Sequence, residues 1–310
     1  MDFLLTLQNV SVLFLLIVVG YITGKLNIIS KKGQRELTDL VLKVTMPATI
    51  ILALQLDYTK DRFNTAVRIM AIMALSYLGM IILSSIFSKF YKLDEGGKDI
   101  VKVASVLPNT SFMGYPIVLS ILGREALFFA VLGAGLIFEI VAWTYGAFII
   151  GRSSETKLET NLIKDILLSP GILSIIIGFT LFILSIKIPE PINTTMSILG
   201  QATSPLAMLV VGILLSRSDI RECMTSGRLY AIALTKLLIF PLVILFTLRS
   251  LGFDGMEIII PSVMLSMPTA AYVAMFSANV GNNPELASQV VFLSSLLSLA
   301  TIPIIVTLVS

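Results

Sequence analysis

Leu107-Pro108-Asn109-Thr110-Ser111-Phe112-Met113-Gly114-Tyr115-Pro116 interrupts one apolar stretch of this chain, and Ser266-Met267-Pro268-Thr269-Ala270 interrupts another. A proline inside a helix removes a backbone hydrogen bond and clashes with the preceding turn. Pro108, Gly114 and Pro116 together rule out a regular helix across the first stretch. In hydrocarbon, backbone groups freed in this way must be satisfied by protein or by a water-lined cavity. Two interrupted spans at matching places in two halves of a chain mark a midplane binding site between repeats.

The residues around both stretches are apolar enough to cross a bilayer. Of 310 residues, 56% are hydrophobic and 13% charged, against about 25% charged in an ordinary soluble domain. A water-soluble core of this size cannot hide that much apolar surface, so an all-α polytopic membrane protein is expected. One cysteine, Cys223, and no histidine exclude a disulfide framework, a Cys/His zinc site and histidine-dependent catalysis. No phosphate-cradling P-loop sequence appears. Neither enzyme chemistry nor a cofactor or metal is expected. The apolar run from Phe3 to Ile22 lacks a basic lead-in and exceeds the roughly 7–15 residues of a signal-peptide core, so it is expected to remain as the first span.

A crossing needs about 20 mostly apolar residues. Ten segments qualify, over 4–24, 37–56, 64–88, 99–121, 126–150, 166–186, 193–216, 228–250, 256–280 and 285–308. The expected division is a five-helix unit over 1–150, a cytoplasmic connection over 151–165 and a second five-helix unit over 166–310. Fourteen Lys and Arg fall in the connections after the first, third, fifth and seventh segments, against six on the other side. The positive-inside rule then puts both termini on the non-cytoplasmic side of the cell (inner) membrane.

The halves match at a nearly constant offset. Val18-Val19-Gly20-Tyr21 parallels Ile176-Ile177-Gly178-Phe179, Pro47 parallels Pro205 and Gly123 parallels Gly281, each 158 residues apart, while Pro108 and Pro268 are 160 apart. Five segments is an odd number, so the second half enters the membrane the other way up. The expected fold is ten transmembrane helices in a 5+5 inverted repeat, with the fourth and ninth broken where they cross.

Each break offers a half-helix N-terminus with unpaired N–H groups and partial positive charge, able to hold a carboxylate without arginine. Asn109, Thr110, Ser111, Ser266 and Thr269 supply neutral donors and acceptors beside Pro108 and Pro268. Asn109 is the strongest candidate, since one amide both donates and accepts. The plainer reading is that the prolines only kink packed helices.

These residues carry a resemblance. Leu107-Pro108-Asn109-Thr110 with Met113-Gly114 and Pro116, then Met267-Pro268, Asn279-Val280, Pro284-Glu285-Leu286 and Ile302-Pro303-Ile304, resemble the auxin efflux carrier family. Lys236 with Pro241 and Pro205-Leu206-Ala207-Met208 extend the likeness to the eighth and seventh segments. It covers nearly the whole chain, without the long central loop of the plant carriers. The resemblance implies a scaffold domain and a crossover transport domain, elevator-type alternating access and a carboxylate-bearing solute. It further implies that Pro108 and Pro268 are the crossover prolines and Asn109 the substrate-contacting amide. Bacterial members of the family resemble carriers of malate and malonate.

Glu139 and Lys236 are ionisable residues within spans, which makes them functional candidates. The expectation is that Glu139 carries or senses a coupling proton, with Lys236 as its partner; a structural ion pair or a snorkelling lysine is the alternative. The plant carriers have a neutral residue where Glu139 falls, so the resemblance does not supply this role. Asp39 and Lys43 read as an interfacial salt bridge, Lys31-Lys32 and the lysines over 89–102 as topology signals, and Trp143 as an interfacial anchor. The expected function is secondary active transport of a small organic anion, driven by protons or potential. A sodium-coupled symporter with a bile-acid-symporter-like fold and a non-transporting membrane sensor are the alternatives. The expected partners are the anion, the lipid bilayer and a second copy of the chain, with no nucleic acid.

Overall fold

The computed structural model describes residues 3–153, 168–217 and 220–309. The connection expected over 151–165, with Lys157 and Lys164, lies outside the described residues from 154 onward. Among the described residues the chain is helical, with one isolated antiparallel bridge between Pro108 and Thr269. The main helices are α1 (Phe3–Lys25), α2 (31–53), α3 (Lys60–Tyr91), α4 (Glu95–Val106), α5 (110–122), α6 (124–152), α7 (Pro170–Ile183), α8 (Glu190–Ser216), α9 (Gly227–Ser250), α10 (Gly255–Leu265), α11 (Ala271–Val280) and α12 (Pro284–Val309), with a short helix at Ile220–Thr225 between α8 and α9. Each of the ten apolar segments contains helix among its described residues, and five runs are individually long and apolar enough to cross a membrane. One of those runs, Thr110–Arg152, doubles back at Gly123, whose φ of 82° is open to a residue without a Cβ. Gly281, its counterpart in the second half, also has positive φ, at 72°.

Two bundles emerge from the packing. α1 lies along α8, and α2 packs on both α7 and α8. The second bundle gathers α3 to α6 with α9 to α12. The repeated glycines explain the first bundle. A Cβ on Gly20 would collide with the Leu209 carbonyl oxygen in α8, and one on Gly178 would stand 2.8 Å from Leu54 Cδ1 beyond the end of α2. Gly212 faces α1 the same way, with the Ile17 carbonyl oxygen where a Cβ would need room. Small residues let helix backbones approach where lipid offers no hydrophobic drive between helices. The matched glycines thus do equivalent jobs, α1 on α8 and α7 on α2.

α3 leaves Leu75, Leu78, Ile82 and Ile86 exposed along one face, and α1 does so with Leu15, Val18, Val19 and Ile22. Such continuous apolar faces are foreign to a water-soluble monomer and fit acyl chains. Between the bundles, Phe128 meets Phe182 at 4.9 Å and Phe63 meets Phe179 at 6.4 Å between ring centroids. The expected surface pair forms, Lys43 Nζ standing 2.9 Å from Asp39 Oδ2 with both side chains exposed.

Candidate functional site

α4 stops at Val106 because Leu107, held ahead of a proline, is driven out of the helical region to φ −90°, ψ 103°. α10 stops at Leu265, and the chain is extended again at Ala270. The two short extended pieces run antiparallel. Asn109 N donates to the Pro268 carbonyl at 2.7 Å, and Ala270 N donates to the Leu107 carbonyl at 2.9 Å. Each break thereby satisfies backbone groups that the other leaves free, which is what a dry interior demands.

Pro108, Asn109, Pro268 and Thr269 lie on these paired segments, Ser266 caps the end of α10, and Thr110 and the half-buried Ser111 open α5. Their side chains are not equivalent. Ser266 Oγ donates to the Val263 carbonyl at 2.7 Å, and Thr269 Oγ1 donates to the Ala104 carbonyl at 2.9 Å. Thr269 N in turn donates to Ser294 Oγ at 3.1 Å. Asn109 Oδ1 accepts from Phe112 N at 3.3 Å, capping α5, while its Nδ2 donates to no described group. Thr110 Oγ1 and, one turn before Ser266, Ser262 Oγ are buried without a partner. A buried polar group without a partner costs about 1–3 kcal/mol. α11 begins without any side-chain cap. Amide, hydroxyl and helix start are each left without a described side-chain partner.

Glu139 and Lys236 do not meet. Glu139 is buried in α6, where its Oε2 accepts from Trp143 Nε1 at 3.2 Å and the carboxylate lies beside Tyr272, the second residue of α11. A Cβ on Gly171 of α7 would lie 3.5 Å from Glu139 Oε1, so the carboxylate faces the boundary between the bundles. Lys236, fully buried on a π-type turn over 235–239 of α9, donates from Nζ to the Leu265 carbonyl at 3.0 Å. Trp143, expected as an interfacial anchor, also has an internal role: one helical turn from Glu139, its N–H finds the carboxylate, and its ring packs on Tyr272 and Phe276.

The basic cluster over 89–102 also does more than mark topology. The Asp99 carboxylate, with no exposed surface, accepts from Lys102 Nζ at 2.9 Å, from Arg152 at 2.6 and 2.8 Å and from Ser153 Oγ at 2.6 Å. This knot ties α4 to the end of α6. A cavity of about 580 Å³ opens elsewhere, between the bundles, beside Thr49, Leu119, Arg124, Lys187 and Gln201. Neither break lines it; Leu119 shares α5 with Ser111. Sequence reasoning missed Ser262, Ser294 and Tyr272, which stand out only once helices are packed. Among the described residues no cluster of acidic, histidine or cysteine side chains could hold a metal.

Fold and site together define a multi-pass helical membrane protein with a polar centre where two helix breaks pair. The family model described as membrane transport protein matches residues 5–161 and 156–306, and the chain belongs to that family. The resemblance to auxin efflux carriers is borne out at this level. The chain is 27% identical over 304 residues to an uncharacterized transporter of Methanocaldococcus jannaschii, covering 96% of this chain and 97% of the relative. It is 24% identical over 310 residues to another from Methanothermobacter thermautotrophicus, covering 98% of each. A protein of Rhizobium meliloti named "Putative malonate transporter" is 26% identical over 153 residues, covering 49% of this chain and 47% of the relative.

Proposed function

We propose that the protein is a secondary active transporter of a small organic anion, working by elevator-type alternating access across ten spans in a 5+5 inverted repeat. The observation that carries this reading is the pairing of Pro108 with Thr269 beside a free Asn109 amide and an unpartnered Thr110 hydroxyl. Membership in a transport family argues for transport rather than sensing or catalysis. The relative named for malonate supports a carboxylate as cargo. The two bundles supply the bodies an elevator needs: α1, α2, α7 and α8 as scaffold, the rest as the moving part. Equivalent glycine contacts in the two halves support the repeat. The excess of basic residues in alternate connections supports termini outside the cytoplasm and a location in the cell membrane. Glu139, facing the bundle boundary, is the proton-coupling candidate.

Purified protein in proteoliposomes, offered labelled malonate, succinate and acetate with pH, sodium and potential gradients imposed separately, tests the reading. Gradient-sensitive uptake of at least one anion is expected. No flux of any under all three gradients would sink it. Glu139→Gln should abolish stimulation by a pH gradient while leaving counterflow exchange; unchanged pH stimulation would remove Glu139 from the coupling step.

A further inference from the structure

Lys236 is a fully buried amine with no acid beside it among the described residues. No ion pair among the described residues includes it, and its one described acceptor is the neutral Leu265 carbonyl. Leu265 closes α10 three residues before Pro268, where the partial negative charge of the helix collects. The turn that carries Lys236 is fixed independently, since Tyr91 Oη lies 2.8 Å from Thr235 Oγ1. Near the end of α4 at the first break, one residue off the position that matches Leu265, the group that closes a carbonyl is uncharged: the Thr269 hydroxyl satisfies the Ala104 carbonyl. The two helix ends that lead into the breaks are therefore closed differently, one by a hydroxyl and one by an ammonium.

An isolated ammonium in a dry interior is costly unless a second charge compensates it. A single carbonyl leaves most of that cost standing. The arrangement is half of an ion pair. We propose that Lys236 is the built-in counter-charge of the anion site, its other half supplied by the transported carboxylate, so that the carrier requires no co-transported sodium. This rests on the anion-carrier reading above. In transporters built on broken helices, unwound carbonyls and half-helix C-terminal ends are where a coupling cation sits. At Leu265 that position is taken by the protein's own ammonium. The Leu265 carbonyl that holds it lies three residues before Pro268, whose own carbonyl accepts from Asn109 N, so ammonium and amide are held by one short stretch of backbone. Lys236 acts on the ligand as a positioning charge.

The test uses wild-type protein, Lys236→Gln and Lys236→Met in proteoliposomes, with labelled malonate and labelled monomethyl malonate. Glutamine keeps a donor for Leu265 and removes the charge; methionine fills the space with neither. Wild-type malonate uptake should change less than twofold when sodium is replaced by choline. Both variants should raise the KM for malonate at least tenfold, and for the singly charged ester by clearly less. A sodium requirement in the wild type would overturn the proposal, even with neither variant recovered folded. So would a wild-type KM in Lys236→Gln, which would leave only a hydrogen bond, or equal losses for both probes. Absence of any anion flux in the wild type would instead fell the carrier reading, and this inference with it.

Discussion

The two helix breaks share a backbone arrangement and differ in what surrounds it. At the first, Asn109 keeps about 6% of its surface exposed, Ser111 is half-buried, and an amide and a hydroxyl lack partners. At the second, Ser266 and Thr269 are fully buried with their hydroxyls committed to carbonyls, Ser262 one turn earlier keeps an unpartnered hydroxyl, and an ammonium closes the preceding helix. Pairing of the breaks solves the same problem for both, the satisfaction of backbone groups in a dry interior. Their side chains then divide the labour: the first break offers groups to a ligand, and the second supplies rigidity and charge. Symmetry of the backbone does not impose symmetry of chemistry.

This contrast can be broken by substitution. The largest effect is expected from Asn109→Ala, which removes the free amide and the cap on Phe112. Malonate affinity, read by calorimetry or a transport KM, should fall by about 10- to 100-fold, the equivalent of losing a hydrogen bond to a charged group. Thr110→Val comes next and separates binding from folding. It deletes a hydroxyl without a partner, so affinity should fall about tenfold while the melting temperature holds or rises, a buried orphan hydroxyl having cost about 1 kcal/mol. At the second break the signs reverse. Thr269→Val strands the Ala104 carbonyl and should lower stability by about 1–2 kcal/mol, seen in thermal melts, with affinity shifting less than Thr110→Val shifts it. Ser294→Ala, which removes the acceptor for Thr269 N, should cost about 1 kcal/mol. A larger affinity loss from Thr269→Val than from Thr110→Val would invert the assignment of the two breaks.

Much of the frame is legible in the order of residues alone. Prolines report where a helix cannot continue, and their chemistry is local, so both breaks fall where the sequence places them. The matched glycines are legible as a repeat, and packing gives them a reason: Gly20 and Gly178 each admit a neighbouring chain. Asp39 and Lys43 are legible because partners four apart on a helix meet whatever the tertiary fold. Glu139 and Lys236 are the opposite case. Each is recognisable as unusual, and their pairing is the natural guess, yet one faces Trp143 and Tyr272 and the other Leu265.

By itself, then, the sequence determined the apolar class of the protein, the two breaks, the hairpin glycines and the donors beside Pro108. Each of these rests on a residue's own backbone preference or on the distribution of apolar residues along the chain. Only the tertiary structure decided that the breaks bond to each other, that Asn109 and Thr110 keep free groups while Ser266 and Thr269 do not, and that Lys236 closes a helix end. A side chain inside a membrane protein has several neighbouring helices within reach. Which carbonyl or carboxylate it meets depends on how those helices rotate and slide against one another, and no local pattern encodes that.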